Sequence, residues 1–418
     1  MWTDRILGDH IATLPGFAFP SEYFNDIGEG LPLIRIRDIA STETEVYYSG
    51  PFSPAFLVSR GDILVGMDGE FNLKRWRGDA ALLNQRVLKV FAKPGGDIDL
   101  GFAHYWLTPF LKKVEAATAA TTVKHLSSKD VERAVVRSPS KDLQRKIVLV
   151  LGALDSLIET TEALIAKQER VRAGLMQDLF TRGVDEHDQL RPPPEEAPHL
   201  YHQTELGWLP KDWEAPLLDG VANRVSGHTP NRLKPAYWNG GVKWVSLADS
   251  NRLDRPFIFE TTHEISSLGI ENSSARLHPA GTVFVSRDAG VGKSAIMAVP
   301  MAVSQHFIGW ICGENLNNLF LYYFLQANKK MFENIATGST IVTIGLDFFR
   351  KMRIARPIDI AEQSKIATIL KLADDRLEDE KTSLRKLRLL KAGLMQDLLT
   401  GKVSVAPLLE GVSEGVAA

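Results

Sequence analysis

The sequence has few of the features that mark secreted, metal-binding or membrane proteins. Its 418 residues include one cysteine, Cys312, which excludes a disulfide framework and a thiolate metal cluster within the chain. No uninterrupted apolar run approaches the ~18 residues that a membrane-spanning helix needs. The first residues, Met1 to Arg5, lack the charged and then apolar order of a secretory signal. We therefore expect a cytoplasmic protein with roughly two to four globular domains.

An excess of positive charge is also missing. The net charge is −2, from 49 lysines and arginines against 51 acidic residues, whereas domains that grip nucleic acid by bulk charge are usually basic. Two local stretches differ, because 74–93 has six basic residues against Asp79, and 223–256 has six against Asp249 and Asp254. The basic residues are Lys74, Arg75, Arg77, Arg86, Lys89 and Lys93, then Arg224, Arg232, Lys234, Lys243, Arg252 and Arg255. Either stretch alone could equally be ordinary solvated surface.

What the sequence does contain is a large internal repeat. The run Gly-Leu-Met-Gln-Asp-Leu at 174–179 returns unchanged at 393–398, an offset of 393 − 174 = 219. Carried back without gaps, this offset gives 16 identities in the 41 positions of 144–184, including Gln144 with Gln363 and Asp155 with Asp374. Such a duplication predicts a protein with pseudo-twofold symmetry, which suits a target that is itself in two parts.

The repeat extends into the regions that precede these segments. Trp2 corresponds to Trp213 at an offset of 211, and 61–65 corresponds to 281–285 at an offset of 220. Apolar runs between Gly, Pro and Asp residues predict strands at 33–36 and 63–65 in the first half, and at 242–245 and 283–285 in the second. Each half therefore reads as a globular region of mixed strands followed by one long helix.

Both long helical segments carry apolar residues at alternating steps of four and three, which is typical of a coiled-coil seam. Thr161, Arg172, Glu380 and Lys391 interrupt this seam and favour a limited two-helix contact over a fibrous rod. About 40 residues would span roughly 60 Å at 1.5 Å per residue. Packed antiparallel, two such helices would act as a spacer between the globular regions. The seam residues are Ile147, Leu151, Leu154, Ile158, Ile165, Leu175 and Leu179, then Ile366, Leu370, Leu377, Leu384, Leu387, Leu394 and Leu398.

Gly174 and Gly393 lie inside these helices, where glycine costs about 1 kcal/mol relative to alanine. A bend or a close helix crossing would account for them. Alternatively, the repeated surface docks two copies of one partner, and glycine allows close approach. The second interpretation predicts partner-binding residues at Gly174, Leu175, Met176, Gln177 and Leu179, and at Gly393, Leu394, Met395, Gln396 and Leu398.

These patterns predict an α+β fold with two repeated mixed α/β domains separated by two long antiparallel coiled-coil helices. Residues 185–212 are rich in proline and acidic residues, which is typical of a linker. The expected layout is a first globular domain at 1–141, a helix at 142–184, a linker at 185–212, a second globular domain at 213–360, a helix at 361–403 and a flexible tail at 404–418.

The order of these parts resembles the specificity subunit of type I restriction-modification systems over nearly the whole chain. The matching stretches are 61–69 and 122–127 in the first domain, and 207–213, 338–340 and 363–366 in the second half. The resemblance implies a subunit without a catalytic site, in which each recognition domain reads one half of a split DNA target. It also implies that the helices bind two methyltransferase subunits and that motor-nuclease subunits can join. S-adenosylmethionine, and ATP and Mg²⁺ with restriction subunits, would serve the complex rather than this chain.

The sequence contains fragments of catalytic motifs but no complete one. The run Gly-Val-Gly-Lys-Ser at 290–294 lacks the first glycine of a phosphate loop, since position 287 is Arg287, and no adequate helix follows it. Asp379-Glu380-Lys381 imitates part of a nuclease metal site but has no partner acid on a neighbouring strand. No Asn-Pro-Pro-aromatic run or methyl-donor glycine motif occurs, and the ten histidines lack metal-site spacing.

If the domains enter the major groove, Arg, Lys, Asn and Gln are the residue types that read base edges in two-point fashion. Most such residues touch phosphate or solvent instead. Trp76 would be an apolar contact or a buried anchor. The candidates are Lys74, Arg75, Arg77, Asn84, Gln85 and Arg86 in the first domain, and Arg224, Asn231, Arg232, Arg252, Arg287 and Lys293 in the second.

Two other classes of protein remain open from the sequence. One is an enzyme that carries its own methylase or nuclease site. The other is a coiled-coil adaptor without a role on DNA, although two divergent globular regions are more than an adaptor needs.

Overall fold

The computed structural model describes residues 2–41, 43–117, 124–337 and 342–409. The chain divides into two compact units, Met1–Glu162 with Ser383–Ala418, and Ala163–Thr382. Each long helix therefore contributes one part to each unit. No helix in the described ranges is long and apolar enough to cross a lipid bilayer.

The first unit is built from short strands and a few helices. Its strands are β1 (Thr3–Ile6), β2 (Ile11–Pro15), β3 (Phe24–Asn25), β4 (Leu31–Ile34), β5 (Tyr47–Tyr48), β6 (Leu57–Val58), β7 (Ile63–Gly66), β8 (Leu73–Arg75), β9 (Ala81–Leu83), β10 (Val87–Ala92) and β11 (Val135–Ser138). Its helices are α1 (Asp38–Ser41), α2 (Leu100–Ala117), α3 (Ser128–Glu132) and the first part of α4 (Lys141–Thr181).

These strands form one sheet in the order β2-β10-β7-β8, a second in the order β3-β5-β4-β9-β6, and a β1-β11 pair. Strand β7 is buried along its whole length because its residues are apolar on both faces. The main core of this unit joins Leu7 and Ile63 to Leu398, Leu399 and Val405 from the end of the described chain. The predicted strand at 63–65 is confirmed by β7, and the one at 33–36 corresponds to β4, which ends at Ile34.

The second unit contains β12 (Tyr201–Thr204), β13 (Gly207–Pro210), β14 (Trp213–Glu214), β15 (Ala222–Ser226), β16 (Trp238–Val245), β17 (Phe257–Ile258), β18 (His263–Ile265), β19 (Val283–Ser286), β20 (Ser294–Met297), β21 (Ala302–Val303), β22 (Phe307–Cys312) and β23 (Arg356–Pro357). Its helices are α5 (Leu218–Val221), α6 (Ser267–Glu271), α7 (Asn318–Ala327), α8 (Lys329–Ile335), α9 (Leu346–Lys351) and parts of α4 and α10 (Ile360–Leu398).

The largest sheet of the second unit has the order β15-β22-β19-β20-β17, and a smaller one has the order β18-β16-β21. Strands β16 and β19 confirm the predicted strands at 242–245 and 283–285. Helix α7 is nearly all apolar and packs against β19 and β20, which closes the main core of this unit.

The two long helices span 41 and 39 residues, against predicted bounds of 142–184 and 361–403. Within the first unit, Arg388 pairs with Glu162 at 2.7 Å and Lys391 pairs with Asp155. Within the second, Lys381 pairs with Glu169 at 2.7 Å and Arg172 pairs with Asp374. In each unit, the ion pair whose α10 residue lies nearer the C-terminus has the α4 residue that lies nearer the N-terminus. The two helical segments therefore run antiparallel there.

The same internal contacts recur in both units. Gln144 and Gln363 are fully buried, and each donates its side-chain amide to backbone carbonyls while accepting a backbone N–H. Trp2 packs against Phe102, and Trp213 packs against Phe320, each with ring centroids 6.5 Å apart. The two glutamines fix the start of each long helix against the core of its unit. The two tryptophans fix the start of each globular region in the same way.

The interpretation of 185–212 as a linker needs correction. The segment contains the β12-β13 hairpin, and Tyr201 and Leu209 are buried. Arg191 is 9% exposed and forms ion pairs of 2.6 Å with Glu362 of α10 and with Asp212. A buried arginine needs such partners, so the segment is packed into the second unit rather than solvated.

The expected flexible tail at 404–418 also differs over its described part. Val405 is 2% exposed in the main core of the first unit, and Leu408 and Leu409 pack against that core. Apolar burial therefore fixes the chain up to residue 409. The remainder of the predicted tail, and the motif stretches at 122–123 and 338–340, lie outside the described residues.

Candidate nucleic-acid interface

The first basic surface is carried by an edge strand. Strand β8 pairs only with β7 in its sheet, with Lys74 opposite Leu64 and Arg75 opposite Ile63. Because β7 is buried, β8 is anchored along one edge while Lys74 and Arg75 are exposed. Trp76 follows immediately, is 3% exposed and donates its indole N–H to the Asp79 carbonyl at 2.8 Å. Of the two roles open for Trp76, the structure supports the buried anchor.

Lys74, Arg75 and Arg77 line one open cleft of about 780 Å³ within the first unit. Its other walls are α2 and segments of the two long helices, which supply Asp155, Glu159, Glu162, Arg388 and Lys391. Arg77 forms an ion pair with Glu159, so its charge is already compensated. Lys74 and Arg75 remain as the exposed cations of β8.

His104 lies on the α2 wall of this cleft, and its Nδ1 is buried without a hydrogen-bond partner among the described residues. Burial, aided by the nearby Arg75 guanidinium, lowers the pKa of His104 to about 4. The imidazole is therefore neutral at pH 7 and adds no positive charge to the cleft.

The remaining candidates of the first domain lie in the turn between β9 and β10 and do not line the cleft. Asn84 is 8% exposed and its side-chain oxygen accepts the Gln85 backbone N–H at 2.9 Å, so the prediction that it faces DNA is wrong. Gln85 is exposed. Arg86 has a left-handed backbone, with φ at 67°, and pairs with Asp68 at 2.5 Å.

Asp68 is the centre of this second cluster. Burial opposes ionisation of Asp68, but the hydrogen bond from His125 at 2.6 Å and the Arg86 guanidinium outweigh it, and the pKa of the carboxyl is lowered. Asp288 plays the same part in the second unit, where it holds His306 at 2.8 Å. Because Asp68 holds the Arg86 guanidinium, Arg86 is a fixed cation whose side chain is still exposed.

In the second unit an exposed basic surface lies on the loop that leads into β16. Asn231 and Arg232 are exposed there, and the Arg232 guanidinium carbon lies 5.9 Å from the centre of the Trp238 ring. Trp238 packs edge-on against the buried Trp244, with ring centroids 5.2 Å apart. The Arg232 guanidinium therefore packs over an aromatic ring that is itself held by a buried tryptophan.

The other candidates of the second domain are engaged within the unit. Arg224 pairs with Asp219 at 3.0 Å, and Arg252 lies 4.0 Å from the buried Asp249. Arg287 is partly buried against Asp288 and Thr343. Lys293 donates to the Ser250 carbonyl at 3.0 Å. Arg224, Arg287 and Lys293 are thus only partly exposed and already engaged within the unit, so their contact with DNA stays a prediction, while Arg252 keeps a side chain that is 41% exposed.

Lys234 lies in the second basic stretch but was not among the predicted DNA contacts. Lys234 is exposed, lies 5.2 Å from the Tyr237 ring centre and donates to the Tyr237 hydroxyl at 3.2 Å. The sequence signal for Lys234 was that Arg232 and Lys234 shortly precede Tyr237 and Trp238. This spacing places each cation within reach of an aromatic ring.

The structure also bears on the excluded chemistries. The run 290–294 joins β19 to β20, and Gly290 and Gly292 have φ values of 95° and 82°. A strand rather than a helix follows, so the run lacks the helix N-terminus that holds phosphate in a phosphate loop. In the described part of the chain, no group of three or more His, Cys, Asp or Glu residues is arranged to hold a metal ion. Lys381 of the acid-rich helical run pairs with Glu169.

The predicted partner-binding patch divides into two faces. Met176, Leu179 and Leu398 are buried in the cores of their own units, which corrects their assignment to a partner. Leu175, Leu394 and Met395 pack against those cores but are only half-buried, so their contact with a partner stays a prediction. Gly174, Gln177, Gly393 and Gln396 are exposed. A Cβ added at Gly174 or Gly393 would meet no atom within 4 Å, so a close helix crossing within the described chain does not explain either glycine.

Comparison with known proteins agrees with this architecture. The model of the type I restriction modification DNA specificity domain family matches residues 11–170 and 210–388. The EcoBI specificity subunit of Escherichia coli is 32% identical over 224 residues, which cover 52% of this chain and 46% of that subunit. The chain thus spans about half the length of that relative. The MjaVIII specificity subunit of Methanocaldococcus jannaschii is 24% identical over 364 residues, covering 84% and 81% of the two chains.

Among solved structures, the type I restriction-modification S subunit from M. genitalium aligns over 95% of this chain and 96% of its own, with a TM-score of 0.60 and 16% identity. At 16% identity, this similarity shows a shared fold and nothing more. The two stretches matched by the family model together cover more than half of the sequence. The protein therefore belongs to the family of type I restriction-modification DNA specificity domains.

Proposed function

We propose that this chain is the DNA-recognition subunit of a type I restriction-modification complex and reads a target in two parts. The observation that carries the proposal is that each of the two matched stretches contributes the globular part of a separate compact unit with an exposed basic surface of its own. In the first unit this surface is centred on Lys74 and Arg75, and in the second on Arg232 and Lys234.

Each surface would act on DNA in two ways. Lysine and arginine side chains fix position by contacts with phosphates, and arginine, asparagine and glutamine discriminate bases through paired hydrogen bonds in the major groove. Among the exposed groups, Gln85 suits the second role, and Arg75, Arg86 and Arg232 can serve in either role. The Asn231 side-chain oxygen already accepts the Leu233 backbone N–H at 2.9 Å.

The long helices would separate the two recognition units and so set the unread gap between half-sites, near one turn of duplex. They would also carry two methyltransferase subunits. The exposed faces at Gly174 with Gln177, and at Gly393 with Gln396, support this part of the proposal, because they are alike in both helices and a Cβ added at either glycine would meet no atom of the described residues within 4 Å. A solved structure that is similar in fold is described as concerning complex assembly of the type I system.

The chain itself would be non-catalytic. S-adenosylmethionine would be held by the methyltransferase subunits, and ATP and Mg²⁺ by restriction subunits if these join. Grip on the DNA backbone would come largely from the methyltransferases, which accords with the net charge of −2 on this chain.

The test is a methylation map of DNA from cells that express this chain with its methyltransferase. The expected result is a split, adenine-containing motif that is absent when the methyltransferase is expressed alone. Exchange of residues 1–140 for those of a relative should alter one half of the motif and leave the other intact. A map without a split motif, or an exchange that alters both halves, would contradict the proposal.

A further inference from the structure

The most exposed large apolar side chain of the second unit lies inside its basic surface. Leu233 is 90% exposed, and its neighbours in sequence are Arg232 and Lys234. Leaving a leucine so fully in water is unfavourable compared with covering it, by roughly 1.5–3 kcal/mol. A ligand that covers Leu233 in the working state would therefore gain binding free energy from this side chain.

The loop presents this leucine rigidly. Lys234 donates its backbone N–H to the Asn231 carbonyl at 3.2 Å, so Arg232 and Leu233 form the tip of a turn. The Leu233 backbone N–H donates to the Asn231 side-chain oxygen at 2.9 Å, and Trp238 donates its indole N–H to the Asn231 carbonyl at 3.2 Å. Little conformational freedom remains to be lost when the tip is covered.

The charges beside Leu233 define the kind of occupant. Arg232 and Lys234 rest over aromatic rings, and neither forms an ion pair with any residue in the described ranges. Two uncompensated cations on either side of an apolar tip suit a polyanion and disfavour an apolar or basic protein surface. Ile27 of the first unit gives the contrast, since it is 80% exposed but lies next to Asp26 and near Glu29, which would repel phosphates.

We propose that Leu233 is a specificity residue that contacts the C5-methyl group of a thymine in the half-site of the second unit. A leucine side chain has no hydrogen-bond donor or acceptor, so it cannot distinguish the polar groups of base edges. The thymine methyl is the apolar group that the major groove displays. Arg232 and Lys234 would bind the flanking phosphates and hold the tip in the groove. This inference rests on the proposed function and adds a named base feature to it.

The test begins with a random-sequence duplex pool and the full-length chain co-expressed with its methyltransferase. Selection from this pool should enrich a split motif, and the half that survives exchange of residues 1–140 belongs to the second unit. Each thymine of that half is then replaced in turn by deoxyuridine, which removes only the C5-methyl group, and the Kd is measured by fluorescence anisotropy.

For the wild-type chain we expect one thymine at which uracil weakens binding about fourfold, which corresponds to the ~0.8 kcal/mol of one buried methyl or methylene group. Leu233→Ala should bind the thymine duplex about fourfold more weakly and should lose nothing further with uracil. Ile27→Ala is the matched control and should behave as the wild type. Because both side chains are exposed, neither variant should change the Tm.

Retained discrimination between thymine and uracil in Leu233→Ala would overturn the inference, as would a second half-site without thymine. An equal loss on both duplexes without any wild-type response to uracil would also overturn it and would indicate insertion between bases in the minor groove instead. Failure of the wild-type complex to enrich any motif would overturn the proposed function as well.

Discussion

Arg172 of α4 and Asp374 of α10 form an ion pair within the second unit, and the Tyr323 hydroxyl donates to the same carboxylate at 3.0 Å. Lys391, Asp155 and Tyr105 make the same arrangement in the first unit, with the Tyr105 hydroxyl 2.6 Å from Asp155. Counterparts are separated by 391 − 172 = 219, 374 − 155 = 219 and 323 − 105 = 218 positions. The two long helices are thus tied to each globular region by one repeated carboxylate.

Removal of this carboxylate should destabilise the second unit. Asp374→Ala leaves the partly buried Arg172 and the fully buried Tyr323 without their shared partner, and we expect a loss of about 2–3 kcal/mol in the free energy of unfolding. Asp375→Ala is the control, since Asp375 pairs with Lys371 on an exposed helix face at 2.5 Å and should cost less than about 0.5 kcal/mol. Urea denaturation of both variants measures the difference, and equal losses would contradict this role of Asp374.

Stability should depend on pH through His104. Its pKa is lowered by burial to about 4, against 6.5 for the free side chain, so the unfolded chain binds a proton between these values and the folded chain does not. Stability from this group is therefore complete above pH 6.5 and falls as the pH drops towards 4. At pH 4.5 the loss should be about 2 kcal/mol, allowing for partial access of solvent to the ring.

The check is the difference in unfolding free energy between the wild type and His104→Tyr, measured from pH 7.5 to pH 4.5. Tyrosine is the residue at the corresponding position of the second unit, Tyr322, at an offset of 322 − 104 = 218. The variant should lose less stability than the wild type as the pH falls. Parallel pH profiles would show that His104 is not buried as described.

DNA binding should depend on salt through the exposed cations of β8. If Lys74 and Arg75 each neutralise one phosphate, the alanine variants should each weaken binding for all sequences and reduce the slope of log Kd against log salt by about 1. Arg77→Ala should leave the slope unchanged, because Arg77 is paired with Glu159. The measurement is a salt titration of the complex on duplex DNA. A slope that falls only for Arg77→Ala would place the contact elsewhere in the cleft.

Gly174 and Gly393 give a test of methyltransferase docking. An added Cβ meets nothing within 4 Å, so Gly174→Ala should stabilise the isolated chain by about 0.5–1 kcal/mol through helix propensity. If a partner approaches the glycine closely, the same variant should bind the methyltransferase more weakly. Thermal melting and pull-down titration measure the two effects, with Ala173→Ser at the neighbouring exposed position as the control. Stabilisation without weaker binding would remove Gly174 from the docking surface.

The long helices and four strands could be predicted because their evidence is periodic and local. The role of Arg191 could not, since its burial depends on Glu362, which is 362 − 191 = 171 positions away and gives no local signal. For a similar reason, the identity of a residue in the two repeats did not show whether that residue is buried or exposed. Leu179 and Leu398 are alike because both fill a core, whereas Gly174 and Gly393 are alike on an exposed face.

The candidate site was predictable as a pair of basic stretches but not residue by residue. Asn84 and Lys293 have the chemistry of base readers, and only their hydrogen bonds within the fold show that this chemistry is already used. Leu233 lacked any feature that would mark it in the sequence, because an exposed and a buried leucine look the same there.

The indole of Trp2 lies where a Cβ on Gly401 would come within 2.5 Å of it, and Leu398, Leu399 and Val405 complete the core around Leu7. The unit that contains the N-terminal region therefore cannot complete its hydrophobic core until the ribosome has synthesised residues beyond 400. The unit formed by Ala163–Thr382 is continuous in sequence and can acquire its core earlier. Assembly during translation would then proceed with the later-encoded unit maturing first, and a chain stalled before residue 398 would display an unfinished apolar surface to chaperones.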